Sequence, residues 1–326
     1  MMEIPSFLQP YLNCDALIRL KGIDMNCGVQ MTSFPLFFQR KTTDRYDHSL
    51  ITALCAWHFT HDRIQSLASL FHDIATPVFS HTVDFAGGDY MMQESTEKGI
   101  AEILQNDSGI RTQLKQDGIL IKEVCNYHMY PICDNTAPKL SCDRLSYLLT
   151  GMIELGFGTK KEAEMIFGDL SVGMNETGEM ELCFGCIDVA LLFAQRALQC
   201  GIIYSCSFDR YAMEELAQLL KSAFSHQILT VKDLYTTEDQ VIQKLKNSTV
   251  ADAWNRFTQL YGIQMTKTRK DGSLQVKAKK RYVDPYVSGK GRISQIDSSM
   301  NRKIRLLLSD DQSFYITGLY KNKGEK

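Results

Sequence analysis

Apolar residues recur every three to four positions through most of the first 260 residues, and this period predicts a mainly helical body. Residues 48–59 form one such stripe and residues 64–75 form a second, with His72 and Asp73 near its end. Pro77 should stop this second helix soon after that pair, because proline lacks the amide donor that a helix interior needs. The same period predicts further helices over residues 93–105, 110–127, 139–152, 160–167, 186–200, 208–224, 238–247 and 250–260.

Strict alternation of polar and apolar residues replaces the helical period in three places. Residues 170–184 predict a small hairpin that turns near residues 175–178. Residues 262–287 alternate around the Asp-Gly pair at 271–272, a dipeptide typical of tight hairpin turns. Residues 313–320 predict a further strand. The predicted fold class is therefore mainly α, with a smaller C-terminal α+β segment.

The two patterns divide the chain into two predicted domains, a helical body over residues 1–260 and an α+β segment over residues 261–326. The full sequence of 326 residues has a formal net charge of −2. This neutrality hides a segregation, since residues 264–305, here called the basic block, carry twelve Lys or Arg and three Asp or Glu. The basic block is either a solvated strand face or a surface for a polyanion, such as nucleotide phosphates or nucleic acid.

Composition and segment patterns predict a soluble cytoplasmic protein. Hydrophobic residues make up 44% and charged residues 23%, which excludes disorder as the main state. The N-terminus lacks the charged and apolar regions of a secretory signal, and the apolar stretch 182–198 contains charged residues, so no membrane span is expected. The ten scattered cysteines predict reduced thiols. Cys183 and Cys186 form a CxxC pair without a well-spaced second pair, which disfavours a structural zinc site.

Four residues of metal-ligand type lie on or beside predicted helices: His48, His72, Asp73 and Asp143. Two imidazoles and two carboxylates make a mixed nitrogen and oxygen site that suits Mn²⁺, Fe²⁺, Ni²⁺, Co²⁺, Zn²⁺ or Mg²⁺. Taken singly, each residue has an ordinary structural explanation, because a lone histidine near an apolar helix face is usually a hydrogen-bonded core residue.

Three sequence words surround these residues, DRYDHSL at 44–50, LFHDIATPVFSH at 70–81 and SCDRLSYLL at 141–149. In this order they resemble the H…HD…D pattern of the HD-domain phosphohydrolase superfamily. The branch with the greatest resemblance contains the deoxynucleoside triphosphate triphosphohydrolases, including the sterile-alpha-motif HD-domain dNTPase. Weaker similarities at 281–285 (RYVDP) and 314–316 (FYI) extend the resemblance over most of the chain. It implies an HD-domain helical bundle, with the metal ligands within residues 45–150.

The resemblance assigns roles by position. It implies that the metal ligands are His48, His72, Asp73 and Asp143, of which Asp143 is also counted as catalytic. It implies that Arg45 and His81 contact the substrate phosphate and take part in catalysis. Arg144 stands where a phosphate-binding lysine is found, and Tyr147 matches a tyrosine that packs near the sugar.

This sequence departs from the family pattern at several positions. Thr76 replaces the second histidine of the HDxGH stretch, and threonine does not act as a proton donor near neutral pH. The downstream catalytic histidine falls near Thr96 and is also missing, while Thr150 and Gly151 replace an Arg-Asp pair that contacts nucleotide. Two acidic residues are candidates for the missing group: Glu94 and Glu97.

The predicted function is hydrolysis of a nucleotide, either a (deoxy)nucleoside triphosphate or a monophosphate, by a metal-dependent enzyme that forms a homo-oligomer. One alternative is a degenerate HD protein that binds a nucleotide without hydrolysis, or nucleic acid through the basic block. A second alternative within the superfamily is a two-metal phosphodiesterase or a di-iron oxygenase, with extra ligands among His58, His61 and His128.

Overall fold

The computed structural model of the protein describes residues 3–37, 42–87 and 99–321. These residues are mainly helical with a smaller α+β part toward the C-terminus, so the predicted fold class is confirmed. The α-helices are α1 Asp15–Ile18, α2 Arg45–Thr60, α3 Arg63–Phe71, α4 Thr82–Gly87, α5 Ile100–Asn106, α6 Ser108–Asp117, α7 Ile121–Val124, α8 Cys142–Glu154, α9 Lys160–Asp169, α10 Ile187–Ile203, α11 Ser207–Ser225, α12 Glu238–Lys246, α13 Ala251–Thr258, α14 Ile293–Ile296 and α15 Ser298–Ser309. The strands are β1 Leu170–Met174, β2 Met180–Phe184, β3 Leu260–Thr266, β4 Tyr286–Val287, β5 Gly291–Arg292 and β6 Tyr315–Tyr320.

Side-chain caps begin the three helices that position the candidate site. The carboxylate of Asp44 accepts the amide of Asp47 at the start of α2, and Asp62 accepts two amides at the start of α3. Ser141 accepts the amide of Arg144 at the start of α8. Each cap satisfies a backbone donor that the first helical turn would leave without a partner. The local sequence therefore fixes where these helices begin.

Two helix predictions need correction. The helix predicted over 110–127 is broken, because Gly118 takes the left-handed conformation with φ of 70° and ends α6. The second helix of the N-terminal half ends at Phe71, well before Pro77, so His72 and Asp73 lie in the turn that follows it. Residues 93–98 of the helix predicted over 93–105 lie outside the described residues.

The strands form two small sheets. The predicted hairpin of residues 170–184 is confirmed, since β1 and β2 pair antiparallel, and β4 and β5 extend that sheet in the order β1-β2-β4-β5. The strand predicted at 313–320 is confirmed as β6, and it pairs antiparallel with β3.

The hairpin predicted over 262–287 is wrong, because β3 pairs with β6 instead of with the residues after the turn. Between β3 and β4, the described residues form one isolated bridge, which joins Leu274 to Ile316. Side chains satisfy the backbone there: Arg210 donates to the carbonyl of Val276, and Gln312 accepts the amide of Ala278 at 2.7 Å. These contacts hold the segment across α11 without a strand partner.

The buried apolar residues form two clusters, and residues after 260 enter both. Val283, Val287 and Ile293 belong to the cluster built around α2, α3, α8 and α10. Val276 and Ile316 belong to the cluster built around α11, α12 and α13. Within the described ranges, no single helix is both long and apolar enough to cross a membrane, although α10 and α11 together, bent by 42°, reach that length and apolarity.

Candidate metal and substrate site

Four polar side chains converge where α2, the turn after α3 and the start of α8 meet. The Nε2 atoms of His48 and His72 are 3.2 Å apart. Asp143 Oδ1 lies 3.1 Å from Nε2 of His48 and 3.6 Å from Nε2 of His72. Asp73 Oδ2 lies 3.7 Å and 3.6 Å from the same two nitrogens. The buried group of His48, His72 and Asp73 could hold a metal ion, and Asp143 places a fourth ligand-type atom beside it.

Hydrogen bonds on the far side of each imidazole orient its Nε2 toward this cluster. His72 Nδ1 donates to the carbonyl of Ser69 at 2.7 Å, which leaves a lone pair on Nε2 of the neutral ring. His48 Nδ1 lies 3.0 Å from the hydroxyl of Ser146. Outer hydrogen bonds of this kind are the usual support of metal-binding histidines. The donor set and its orientation therefore fit a divalent metal ion.

Charge neighbours keep both carboxylates ionised. Burial alone would raise the pKa of Asp73, but Arg45 and the two imidazoles outweigh it and hold that pKa well below its usual range. The Nη1 atom of Arg45 donates to Asp73 Oδ2 at 2.6 Å. Burial is likewise outweighed at Asp143, whose pKa is lowered to about 2 by His48 and His72. Ionised carboxylates are the form that binds a cation.

All eight residues to which the resemblance assigns roles line one cavity of about 280 Å³, as the described residues bound it. This volume is near the lower end for small-molecule sites. The eight residues are Arg45, His48, His72, Asp73, His81, Asp143, Arg144 and Tyr147.

Three of these cavity-lining residues form hydrogen bonds, ion pairs or ring contacts with other residues of the protein. His81 Nδ1 lies 3.2 Å from Asp84 Oδ2, and burial, together with Arg281 and Arg45, lowers the pKa of His81 although Asp84 opposes the shift. The Tyr147 ring packs edge-on against Tyr204, with centroids 6.3 Å apart. Arg144, in the first turn of α8, is bound to the segment that precedes the helix, and the partners of its guanidinium are Asp134, Asn135, Lys139 and Ser141.

The cavity also contains charged residues that the sequence analysis did not select. Lys279 and Arg281 bring the basic block to the wall, and their positive charges were visible in the sequence while their position was not. Asp209, in the first turn of α11, lies in the same wall, and burial raises its pKa to about 8 although Arg281 opposes the shift. No sequence signal marks Asp209.

Two departures from the family pattern have structural counterparts. The hydroxyl of Thr76 donates to Asp73 Oδ1 at 3.0 Å, so the residue at the missing histidine supports a candidate ligand carboxylate. A Cβ at Gly151 would meet the Tyr204 hydroxyl at 2.1 Å, so Tyr204 occupies the space that a side chain at 151 would need.

Of the other candidate histidines, one lies in the cavity wall and two lie elsewhere. His58 packs against Phe59 and Phe167, and His61 stacks on Trp57. Neither is among the described residues that line the cavity, whereas His128 is. Glu94, Thr96 and Glu97 lie outside the described residues.

Comparison with known proteins shows similarity to a bacterial protein. No family model matches the chain. A protein of Bacillus subtilis (strain 168), named "Uncharacterized protein YdhJ", is 25% identical over 288 residues, which cover 87% of this chain and 85% of that protein. The similarity extends over nearly the full length of both chains.

Proposed function

We propose that this protein is a metal-dependent phosphohydrolase of the HD superfamily that acts on a nucleotide, either a (deoxy)nucleoside triphosphate or a monophosphate. The observation that carries the proposal is the meeting of four ligand-type atoms, from His48, His72, Asp73 and Asp143, in the wall of a cavity that also contains arginines and a lysine. A cation site beside fixed positive charges suits a substrate with several phosphate oxygens.

The four side chains would hold a divalent ion through two imidazole nitrogens and two carboxylate oxygens. Such an ion supplies Lewis-acid chemistry, since it acidifies a coordinated water molecule and polarises a phosphoryl oxygen. Ser69 and Ser146 keep the two imidazoles oriented for this task. This donor set is compatible with Mn²⁺, Mg²⁺, Fe²⁺, Ni²⁺, Co²⁺ and Zn²⁺.

The protein's own cations would bind and orient the phosphate. Arg45 uses Nη1 for Asp73, and its buried Nε has no hydrogen-bond acceptor in the described part of the chain. A phosphate oxygen would satisfy that donor, which is otherwise costly to bury. Arg281 and Lys279 add positive charge on another part of the wall, and His81 with its lowered pKa offers a neutral imidazole.

A second candidate is a nucleotide-binding protein that does not hydrolyse its ligand. The observation in its favour is the hydrogen bond from Thr76 to Asp73, because it commits the hydroxyl at the missing histidine to a structural role. This protein would use the same ligands and cations to hold the nucleotide.

The decisive experiment is a matrix of purified protein with Mn²⁺, Mg²⁺, Co²⁺ or Ni²⁺ against deoxynucleotides, ribonucleotides and monophosphates, read as phosphate or triphosphate release. We expect release with at least one combination, and loss of both bound metal and turnover in Asp143→Ala. His226→Ala is the matched control, since His226 is exposed near the end of α11. Unchanged turnover in Asp143→Ala would exclude the proposed site, and nucleotide binding without release would favour the second candidate.

A further inference from the structure

A histidine and a carboxylate form a pair in the cavity wall, outside the four candidate ligands. His128 Nδ1 lies 2.9 Å from Asp134 Oδ2. The His128 side chain is 45% exposed and the Asp134 side chain 9% exposed, and both residues line the cavity. Because Nδ1 faces Asp134, Nε2 is the nitrogen through which His128 would exchange a proton with a bound molecule.

The carboxylate of this pair is held rigidly from its other side. Asp134 Oδ1 accepts hydrogen bonds from the Ser141 hydroxyl at 3.1 Å and lies 3.2 Å from Nη2 of Arg144. Arg144 is in turn fixed by the side chain of Asn135 at 2.7 Å and by the carbonyl of Lys139 at 3.1 Å. Because these bonds fix Asp134, they also fix the orientation of the imidazole that it binds.

Ring contacts place His128 near the candidate ligands. The Tyr127 ring contacts both imidazoles, with its centroid 4.9 Å from that of His72 and 4.4 Å from that of His128. His128 therefore lies close to the ligand cluster, in the same cavity but outside the cluster. In phosphoryl transfer the attacking and leaving oxygens lie on opposite sides of phosphorus, so a group beyond the ligand cluster suits the leaving side.

We infer that His128 is the general acid of the proposed hydrolysis and that Asp134 is its positioning residue; the inference rests on the proposed function. Water attacks phosphorus and releases a proton to solvent as the bond to the leaving oxygen breaks, and the electron pair of that bond stays on the leaving oxygen. The imidazolium of His128 transfers its Nε2 proton to this oxygen, and the neutral imidazole takes up a proton from solvent before the next turnover. Asp134 stabilises the imidazolium between turnovers.

The other histidine and carboxylate pair of the cavity suits this role less well. His81 is bound to Asp84, but its mostly enclosed position, together with Arg281 and Arg45, disfavours its charged form. Thr76 is committed to Asp73. The His128 side chain is 45% exposed against 19% for that of His81, and a fixed carboxylate lies beside it.

The test compares wild type, His128→Ala, Asp134→Asn and the control His226→Ala on two substrates in the same metal. One substrate is the nucleotide that wild type hydrolyses, and the other is an analogue with the same phosphate chain and 4-nitrophenolate as leaving group. For His128→Ala we expect kcat on the nucleotide to fall about 10²-fold to 10⁴-fold, the usual contribution of a general acid. The analogue should retain its rate, because 4-nitrophenolate leaves without a proton.

Metal content, measured by elemental analysis of each variant, separates this role from an effect on the metal site. We expect wild-type metal content in His128→Ala and, for Asp134→Asn, a smaller fall in kcat on the nucleotide with unchanged KM. An equal loss on both substrates, loss of metal in His128→Ala, or no loss on the nucleotide would overturn the role of His128 while leaving the proposed function intact. A wild-type protein that hydrolyses no nucleotide in any metal would overturn both.

Discussion

Asp73 is bound through both of its carboxylate oxygens. Oδ2 accepts from Arg45 and lies near the two imidazoles, while Oδ1 accepts from the Thr76 hydroxyl. The hydroxyl thus fixes the rotation of the carboxylate, and rotation decides whether Oδ2 points into the ligand cluster. Thr76 therefore supports the candidate site through Asp73, although it is not a candidate ligand itself.

Removing this hydroxyl should weaken metal binding. For Thr76→Ala we expect metal affinity to fall about 10-fold to 100-fold, as is usual when an outer-sphere hydrogen bond to a ligand is lost. Thr76→Ser keeps the donor and should keep the affinity. Titration of metal-free protein by isothermal calorimetry measures both. Equal affinities for Thr76→Ala and wild type would show that the hydrogen bond has no influence on the ligand.

At the scale of elements, the approach of the basic block to the cavity depends on a close contact with α10. A Cβ at Gly201 would lie 2.0 Å from the carbonyl oxygen of Arg281, so only glycine allows the two backbones to approach in this way. Arg281, whose carbonyl makes this contact, also lies in the cavity wall. Tyr204, the residue that follows α10, and the segment after β3 therefore lie in the same cavity wall.

Adding a methyl group at this contact should displace the segment. For Gly201→Ala we expect the free energy of unfolding to fall by about 1–3 kcal/mol, the usual cost of overpacking, and KM for the nucleotide to rise as Arg281 moves. Urea denaturation and steady-state kinetics measure the two effects.

Gly168→Ala is the matched control, because Gly168 also lies in a helix and a Cβ there meets no atom within 4 Å. It should leave KM unchanged and stabilise the helix by up to about 1 kcal/mol. If Gly201→Ala behaves like this control, the contact does not position Arg281.

At the scale of the whole molecule, the ligand cluster ties together parts of the chain that are far apart in sequence. His48 lies on α2, His72 and Asp73 follow α3, and Asp143 lies on α8. Two buried histidines and two ionised carboxylates in such proximity are best stabilised by a bound cation.

A divalent ion should therefore stabilise the entire fold. At a free metal concentration of 100 times Kd, the expected gain is about 2.7 kcal/mol, which corresponds to a rise in Tm of about 4 °C. Differential scanning fluorimetry with Mn²⁺ and then with excess chelator measures the gain and its reversal. His72→Ala should lose the response and His226→Ala should retain it; a response that survives in His72→Ala would place the stabilising ion elsewhere.

The basic block serves more than one purpose in the described structure. Arg292 is buried in ion pairs with Glu176 and Glu181, whereas Lys279 and Arg281 lie in the cavity wall. Its local charge in the sequence thus overstates the charge available for a single surface. Nucleic-acid binding through residues 264–305, homo-oligomer formation and the domain boundary near residue 260 stay predictions.

Local patterns in the sequence determined the helices, the hairpin of residues 170–184 and the candidate ligands. Helical period and capping residues act within a few positions, so α2, α3 and α8 could be predicted with nearly correct starts. The sequence words around His48, His72 and Asp143 are sufficient to identify the ligand-type residues.

Only the tertiary structure decided which distant residues meet. β3 pairs with β6 across about fifty intervening residues. This pairing depends on Arg210 and Gln312, whose side chains form hydrogen bonds with the backbone of the segment between the two strands. The position of Arg281 beside the cavity depends on its contact with Gly201, and the pairing of His128 with Asp134 depends on a loop that Arg144 holds. Packing and hydrogen bonding between separate segments set these contacts, and no periodic pattern along the chain encodes them.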